Sequence, residues 1–281
     1  MHQVLAGVNL WDLFNSECLY ENPTKDGPLF KHDTALIDRV DLPAALGLLT
    51  RLPIIVDGEK AMARGAAAAW AYPLVGVMMG VGLAAFTSVC LWLGIPAGIT
   101  AALILAVSVI ATGAMHEDGL ADSVDGLWGG WDKARRLAIM KDSHIGVYGV
   151  CAIALALLIR WLALGAIVTF GVHWMELIAV ATLSRTSMVA LMATLPNARD
   201  SGLSHSVGRP ASQTAWLAIG IGAVVAVACG YAGMILVAAI ATLACQLIAR
   251  AKIGGQTGDI LGATQQIAEL AVLIAMVATW N

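Results

Sequence analysis

Charge is what this sequence has least of. Asp, Glu, Lys and Arg together make up 12% of its 281 residues, while apolar residues reach 59%. An ordinary soluble domain carries about 25% charged residues. With a mean hydropathy of +0.80, a soluble fold could not hide this much apolar side chain and still cover its surface. A net charge of −3 and a pI near 6.0 exclude a generally basic, nucleic-acid-binding character. Cysteine is sparse: Cys18, Cys90, Cys151, Cys229 and Cys245 form no CxxC motif and no Cys/His cluster, so nothing points to zinc. Four of them sit in apolar runs, where cysteine behaves as a small hydrophobe. Residues 1–41 are polar and acidic and lack the charged-then-apolar layout of a cleaved signal peptide.

What is present is a series of long apolar runs. Residues 1–41, with Asn22-Pro23 and Gly27-Pro28, read as a loosely ordered extension, and 42–281 as one integral membrane domain. Residues 42–55 are apolar but short, and are interrupted by Arg51-Leu52-Pro53; they read as an interfacial or re-entrant helix. Spans are expected at 66–93 (with a kink at Pro73), 96–115, 145–170, 174–195, 215–230, 231–248 and a short 267–280. The fold class is therefore an all-α polytopic transmembrane bundle of about seven spans.

Lys and Arg are missing altogether from the connections around Gly94, Gly171 and Gly230. They gather instead in 116–144, 196–214 and 249–266, so the positive-inside rule puts these three polar segments and the N-terminus in the cytoplasm and the C-terminus outside.

The stretch Thr112–Gly130, TGAMHEDGLADSVDGLWGG, carries the chemistry. On a helix Asp118, Asp122 and Asp125 stand at i, i+4 and i+7 and project within a narrow arc. Carboxylates that close repel one another unless a cation neutralises them. Hard oxygens of this kind suit Mg²⁺, or Mn²⁺, which also binds substrate phosphate. Glu117 points roughly 100° away and reads as an outer support of the site. A merely solvated acidic helix start fits less well, because flanking glycines leave room for a phosphate at the backbone.

Cations follow. Arg135, Arg136 and Lys141 lie close in sequence to the carboxylates, where a diphosphate would need them; Arg135 and Arg136 equally suit membrane anchoring. Asp142 is a further carboxylate, and His144 beside it is either a base or an interfacial histidine. Arg185 lies inside its span, flanked by Ser184 and Ser187, a costly place unless it faces a polar cavity. Arg160, near the outer half of its span, suits snorkelling. Arg199 falls in a glycine-containing segment, and Gly254–Gly262 forms a turn-rich loop with one carboxylate, Asp259, able to cradle phosphate through backbone N–H groups.

At these residues the sequence resembles the cobalamin synthase family, formally adenosylcobinamide-GDP ribazoletransferase. The likeness rests on Thr50-Arg51-Leu52-Pro53, on Thr112-Gly113 with HEDGLADSVDG, on MKDSHIG, on Leu183-Ser184-Arg185 with Pro196 and Ala198-Arg199, and on Gly254-Gly255 with TGD and Leu261-Gly262. Two positions depart from the pattern: Ala114-Met115 stands for Gly-Leu or Gly-Phe, and Asn197 for a tyrosine. The resemblance implies a Mg²⁺-dependent reaction at the cytoplasmic face of the bacterial inner membrane. There the 3′-hydroxyl of α-ribazole, or of its 5′-phosphate, attacks the cobinamide-linked phosphoryl group of adenosylcobinamide-GDP and GMP leaves. It further implies Asp118 and Asp122 as metal ligands, with Glu117, Asp142 and Asp259 as further candidates. Asp125 would be a third ligand or the base, with His116 as rival base. Arg185, Arg199 and Lys141 would neutralise the diphosphate. The implied partners are the two substrates, the bilayer and at most further copies of the chain; nucleic acid is not among them.

Two other classes fit parts of the pattern. CDP-alcohol phosphotransferases also place spaced aspartates at a membrane face, but expect an Ala-Arg pair after Asp-Gly, whereas Ala121 is followed by Asp122. An ion-coupled transporter would place its charges near the bilayer midplane, in inverted repeats, and no repeat is seen.

Overall fold

A computed structural model describes residues 35–171 and 173–280, so most of the 1–41 extension lies outside the described residues. The described chain is helical, with no strand and one isolated parallel bridge, Asn197 to Gln256. Asp41 opens the first helix and does not close the extension. It starts α1 (Asp41–Leu49), which is followed by α2 (Gly58–Arg64), a 3₁₀ stretch (Gly65–Ala71) and α3 (Tyr72–Trp92). Buried Asp41 holds Arg64 through two 2.7 Å bonds and accepts a third from Trp70 Nε1, tying α1 to α2.

Then come α4 (Ala97–Thr112), α5 (Met115–Gly129), α6 (Lys133–Ile139), α7 (Val147–Thr169) and α8 (Trp174–Thr194). The chain ends with α9 (Leu203–Val207), α10 (Ser212–Ala228), α11 (Gly233–Ile253) and α12 (Gly258–Ala278).

Helix α8 is central and packs against α3, α10, α11 and α12. Between helices in lipid there is little hydrophobic force, so small residues that let backbones close up do the holding. Gly76 and Gly80, spaced four apart on α3, do this. A methyl on Gly80 would lie 2.7 Å from Leu177 O, and one on Gly76 would fall 2.7 Å from Thr182 Cα.

Among the described residues five stretches are long and apolar enough to cross a membrane: Gly58–Trp92, α7, α8, α11 and α12. Counting the bent pair α4 and α5 as one span gives six, fewer than the seven expected. Helices α4 and α10, at 16 and 17 residues, reach only about 24–26 Å at 1.5 Å per residue, short of a roughly 30 Å core. The chain turns 85° between α4 and α5. With His116, Glu117, Asp118, Asp122 and Asp125 in fifteen residues, we read α5 as running along the membrane face and not through it.

Three expectations are corrected. Pro73 does not kink a span: it sits in the first turn of α3, where its missing N–H costs no bond. The last helix is not short; it runs 21 residues from Gly258, so the loop expected to reach 266 is confined to Gly254–Thr257. Arg160 does not snorkel; it is 2% exposed and paired inside the bundle.

A candidate phosphoryl-transfer site at the junction of α5 and α12

Two left-handed residues in a row, Gly113 (φ 63°) and Ala114 (φ 59°), end α4 and aim α5 across the bundle. Ala114 is the one non-glycine residue with positive φ among those described. The extended Thr50–Pro53 segment lies against this elbow, its Arg51 N–H donating to Ala111 O at 2.7 Å. Helix α5 then crosses α12 at backbone contact. A methyl on Gly119 would lie 2.8 Å from Asp259 O, and one on Gly262 would lie 3.3 Å from Gly119 Cα. This crossing brings Asp118 beside the first turn of α12.

The loop before α12 is fixed to the loop after α8. Gln256 N donates to Pro196 O and Ala198 N to Gln256 O, both at 2.8 Å. Arg199 is thereby carried to Asp259, with 3.2 Å between Nη2 and Oδ2. The same nitrogen donates to Leu137 O at 3.2 Å. Thr257 caps α12 by accepting from Ile260 N, and its hydroxyl donates to Asp259.

These segments surround a cavity of about 520 Å³. Its wall includes Arg51, Asp118, Asn197, Arg199, His205 and Asp259, drawn from residues 51–259 of the chain. The three polar segments thus meet on one face. The carboxylates are crowded there. Burial, then the charges of Asp118, Asp259 and Asp125, push Asp122 up to about 7, and burial raises Asp118. Negative charge of this kind, on hard oxygens, is relieved by a hard cation such as Mg²⁺. Among the described residues no three His, Cys, Asp or Glu side chains form a ready-made metal-holding group. Mg²⁺ asks for less, since it usually takes one or two protein carboxylates and fills its shell with water and substrate phosphate.

Of the residues singled out in the sequence, Asp118, Arg199 and Asp259 line the cavity, and Asp122 is one turn further along α5. The others lie elsewhere. Both oxygens of Asp125 are taken: Oδ2 accepts from Gly146 N at 2.7 Å and Oδ1 from Gly149 N at 2.9 Å, capping α7. Such a carboxylate orients a helix, and it does not line the cavity. His116 is buried, its Nε2 has no partner, and it does not line the cavity. Glu117 faces inward onto Arg160 Nη1 at 2.7 Å. Arg185, 3% exposed, turns to Ser184 Oγ at 3.0 Å and to Glu269. Lys141 and Asp142 are exposed; Asp142 holds His144, its Oδ1 2.7 Å from Nδ1. Arg136 donates to Gly130 O and Lys252 O, which makes it a brace between α6 and α11.

Sequence reasoning missed Ser204 and His205, and it met Arg51 and Gln256 only as members of the Thr50–Pro53 motif and the Gly254–Gly262 loop, without a role. Gln256 donates to Asn197 Oδ1 at 3.1 Å and accepts from Ser204 at 3.3 Å, forming a polar wall. For Ser204 and His205 the signal was position alone, since both fall in the polar segment 196–214. Asn197, the departure noted above, is part of this wall.

A helical membrane protein that gathers carboxylates, arginines and a histidine around one surface cavity belongs to the class of membrane-embedded group-transfer proteins. The particular family follows from comparison: residues 41–277 match the model of the cobalamin-5-phosphate synthase family, and the chain belongs to it. The adenosylcobinamide-GDP ribazoletransferase of Bradyrhizobium diazoefficiens is 40% identical over 243 residues, covering 85% of this chain and 93% of that protein. The proteins of that name from Mesorhizobium japonicum and Xanthobacter autotrophicus are each 40% identical, over 238 and 259 residues. They cover 83% and 85% of this chain and 91% and 97% of their own. No solved structure matches the chain.

Proposed function

We propose that the cavity transfers the cobinamide phosphate of adenosylcobinamide-GDP to α-ribazole or its 5′-phosphate and releases GMP. The observation that carries this is the meeting of Asp118, Arg199 and Asp259 at one cavity, each from a motif of the family. The protein is a multi-pass membrane transferase of cobalamin biosynthesis, and its relatives bear the name of this reaction. Family membership favours this reading over a CDP-alcohol phosphotransferase. The position of the carboxylates at one end of the bundle disfavours an ion-coupled transporter. The Lys/Arg asymmetry supports a cytoplasmic-facing cavity in the inner membrane.

Phosphoryl transfer needs positioning and charge neutralisation more than covalent help from the protein. Arg199 and Arg51 neutralise the diphosphate. Asp118 and Asp259, which line the cavity, would hold Mg²⁺, with Asp122 one turn away adding negative charge; the ion supplies charge stabilisation on the transferring phosphoryl group when bound. The ribazole 3′-oxygen forms a bond to the cobinamide-linked phosphorus as the bond from that phosphorus to GMP breaks. His205 lines the cavity while Asp125 and His116 do not, which supports His205 as the group that accepts the hydroxyl proton.

Purified protein in lipid nanodiscs tests the reading. With Mg²⁺ it should release GMP from adenosylcobinamide-GDP only when α-ribazole or its phosphate is present. Turnover of CDP-diacylglycerol with a lipid alcohol, and none of the corrinoid, would replace this reading with the phospholipid one.

A further inference from the structure

Beneath the cavity lies a set of buried charges that the transfer reaction does not use. Arg160 of α7 donates to Glu117 Oε1 at 2.7 Å and to Gln266 Oε1 at 3.2 Å, and its second terminal nitrogen is 2.9 Å from Glu269 Oε1. Glu117 Oε1 also accepts from Gln266 Nε2 at 3.1 Å. Glu269 Oε2 accepts from Gln265 at 2.5 Å and lies 3.5 Å from Arg185 Nη1 of α8. Two arginines and two glutamates therefore balance, and they join α5, α7, α8 and α12.

The placement of this lattice follows from helical spacing. On α12, Asp259, Gly262, Gln266 and Glu269 stand at i, i+3, i+7 and i+10, one stripe along one face. Its upper end is in the cavity, its second member touches Gly119, and its lower half grips Arg160 and Glu117. On α5, Glu117 immediately precedes Asp118, so the residue gripped and the residue lining the cavity are neighbours. Apolar packing alone sets helix register poorly in lipid, because neighbouring tails are as apolar as the partner helix. Directional ion pairs set it well, and register is the best-attested use of a buried charge.

We infer that Glu117, Arg160, Gln266 and Glu269 are positioning residues, a latch that fixes α5 against α12 so that Asp118 and Asp259 face the same cavity. A slip of one residue or a rotation of either helix would separate the two carboxylates. The inference rests on the function proposed above only for what the aligned carboxylates then do.

The double variant Arg160→Met/Glu117→Gln tests it, because it removes one charge of each sign and leaves the Arg185–Glu269 pair intact. Two readouts are needed. In otherwise cysteine-free protein carrying Asp118→Cys and Asp259→Cys, a short bifunctional thiol reagent should join the pair. The double variant should slow that crosslink at least tenfold. With the aspartates retained, Mn²⁺ binding followed by electron paramagnetic resonance should weaken at least tenfold, while thermal stability stays near that of the parent. A folded double variant that keeps both values within twofold would overturn the latch. Should the double variant fail to insert, Glu117→Gln alone is read in the same two ways. There a three- to tenfold change is expected, and unchanged values overturn the proposal. Crosslinking and Mn²⁺ binding that respond as expected, while the parent protein with both aspartates retained releases no GMP, would sink the transferase reading and leave the latch standing.

Discussion

The Arg199 guanidinium stands 3.2 Å from the Asp259 carboxylate, although Arg199 lies in the loop after α8 and Asp259 in the first turn of α12, with three helices between them in the chain. The short parallel pairing of Asn197 with Gln256 makes this contact, and it places a cation for phosphate next to a carboxylate for metal. The remaining acid, Asp118, arrives from α5 through the Gly119–Gly262 crossing. Each component of the site is thus brought into place by a backbone contact.

The crossing predicts a steep cost for volume. In Gly119→Ala the new methyl would press on Asp259 O at 2.8 Å, a backbone atom that cannot move aside cheaply. Over-packing of this kind costs about 1–3 kcal/mol. The melting temperature in detergent should fall, and GMP release should fall with it, since the carboxylates are pushed apart. An unchanged melting temperature would mean the helices part without penalty.

The elbow predicts a gain. Ala114 is held at φ 59°, where an alanine is strained by about 1–2 kcal/mol. Glycine removes the strain but adds freedom to the unfolded chain, which returns about 0.4–1 kcal/mol. Ala114→Gly should therefore stabilise the protein slightly, by about 0.5–1 kcal/mol, with activity retained. A loss of stability on thermal unfolding would show that the elbow is not strained.

Much of this arrangement was legible in the sequence, and what was not has physical causes. Hydropathy located the helices because lipid-facing runs are long and uniform, and the Lys/Arg asymmetry marked the face on which the cavity lies. The spacing of Asp118 and Asp122 gave a shared face. Asp125 has the same spacing, yet it is spent on Gly146 and Gly149, a partner more than twenty residues away that no local pattern reveals. Arg185 looked expensive inside an apolar helix, and Arg160 looked able to snorkel. Their partners are Glu117 and Glu269, and Glu269 lies within an apolar run where hydropathy averages it away. For the same reason α12 starts nine residues earlier than 267: Asp259, Thr264, Gln265 and Gln266 read as loop, but all lie in a helix whose polar stripe faces inward. His205 gave no signal beyond its place in a polar segment, and Arg51 none beyond its place in the Thr50–Pro53 motif.

Acidity should matter most in metal-free protein. Burial and neighbouring carboxylates push Asp122 up to about 7 from 3.8. Between those values the folded protein holds a proton that the unfolded chain has released, so this group's contribution is largest below 3.8 and is lost as pH rises through 7. With a chelator present, the melting temperature of the wild type should decline from pH 6 to pH 8, and Asp122→Asn should flatten that decline. An equal slope in the variant would assign it to other groups. Added Mg²⁺ should also flatten it, by supplying the charge that the proton had supplied.

The most direct test is GMP release by Asp118→Asn beside the wild type, with adenosylcobinamide-GDP, α-ribazole and saturating Mg²⁺. The substitution keeps the shape of the side chain and removes one charge from the cavity. A metal clamp on a transferring phosphoryl group is worth several kcal/mol, and each 1.4 kcal/mol is tenfold in rate. The account predicts a fall in kcat on the order of a hundredfold or more, with insertion and melting temperature preserved because carboxylate repulsion is relieved. A correctly folded Asp118→Asn protein that turns over within threefold of the wild type would contradict it.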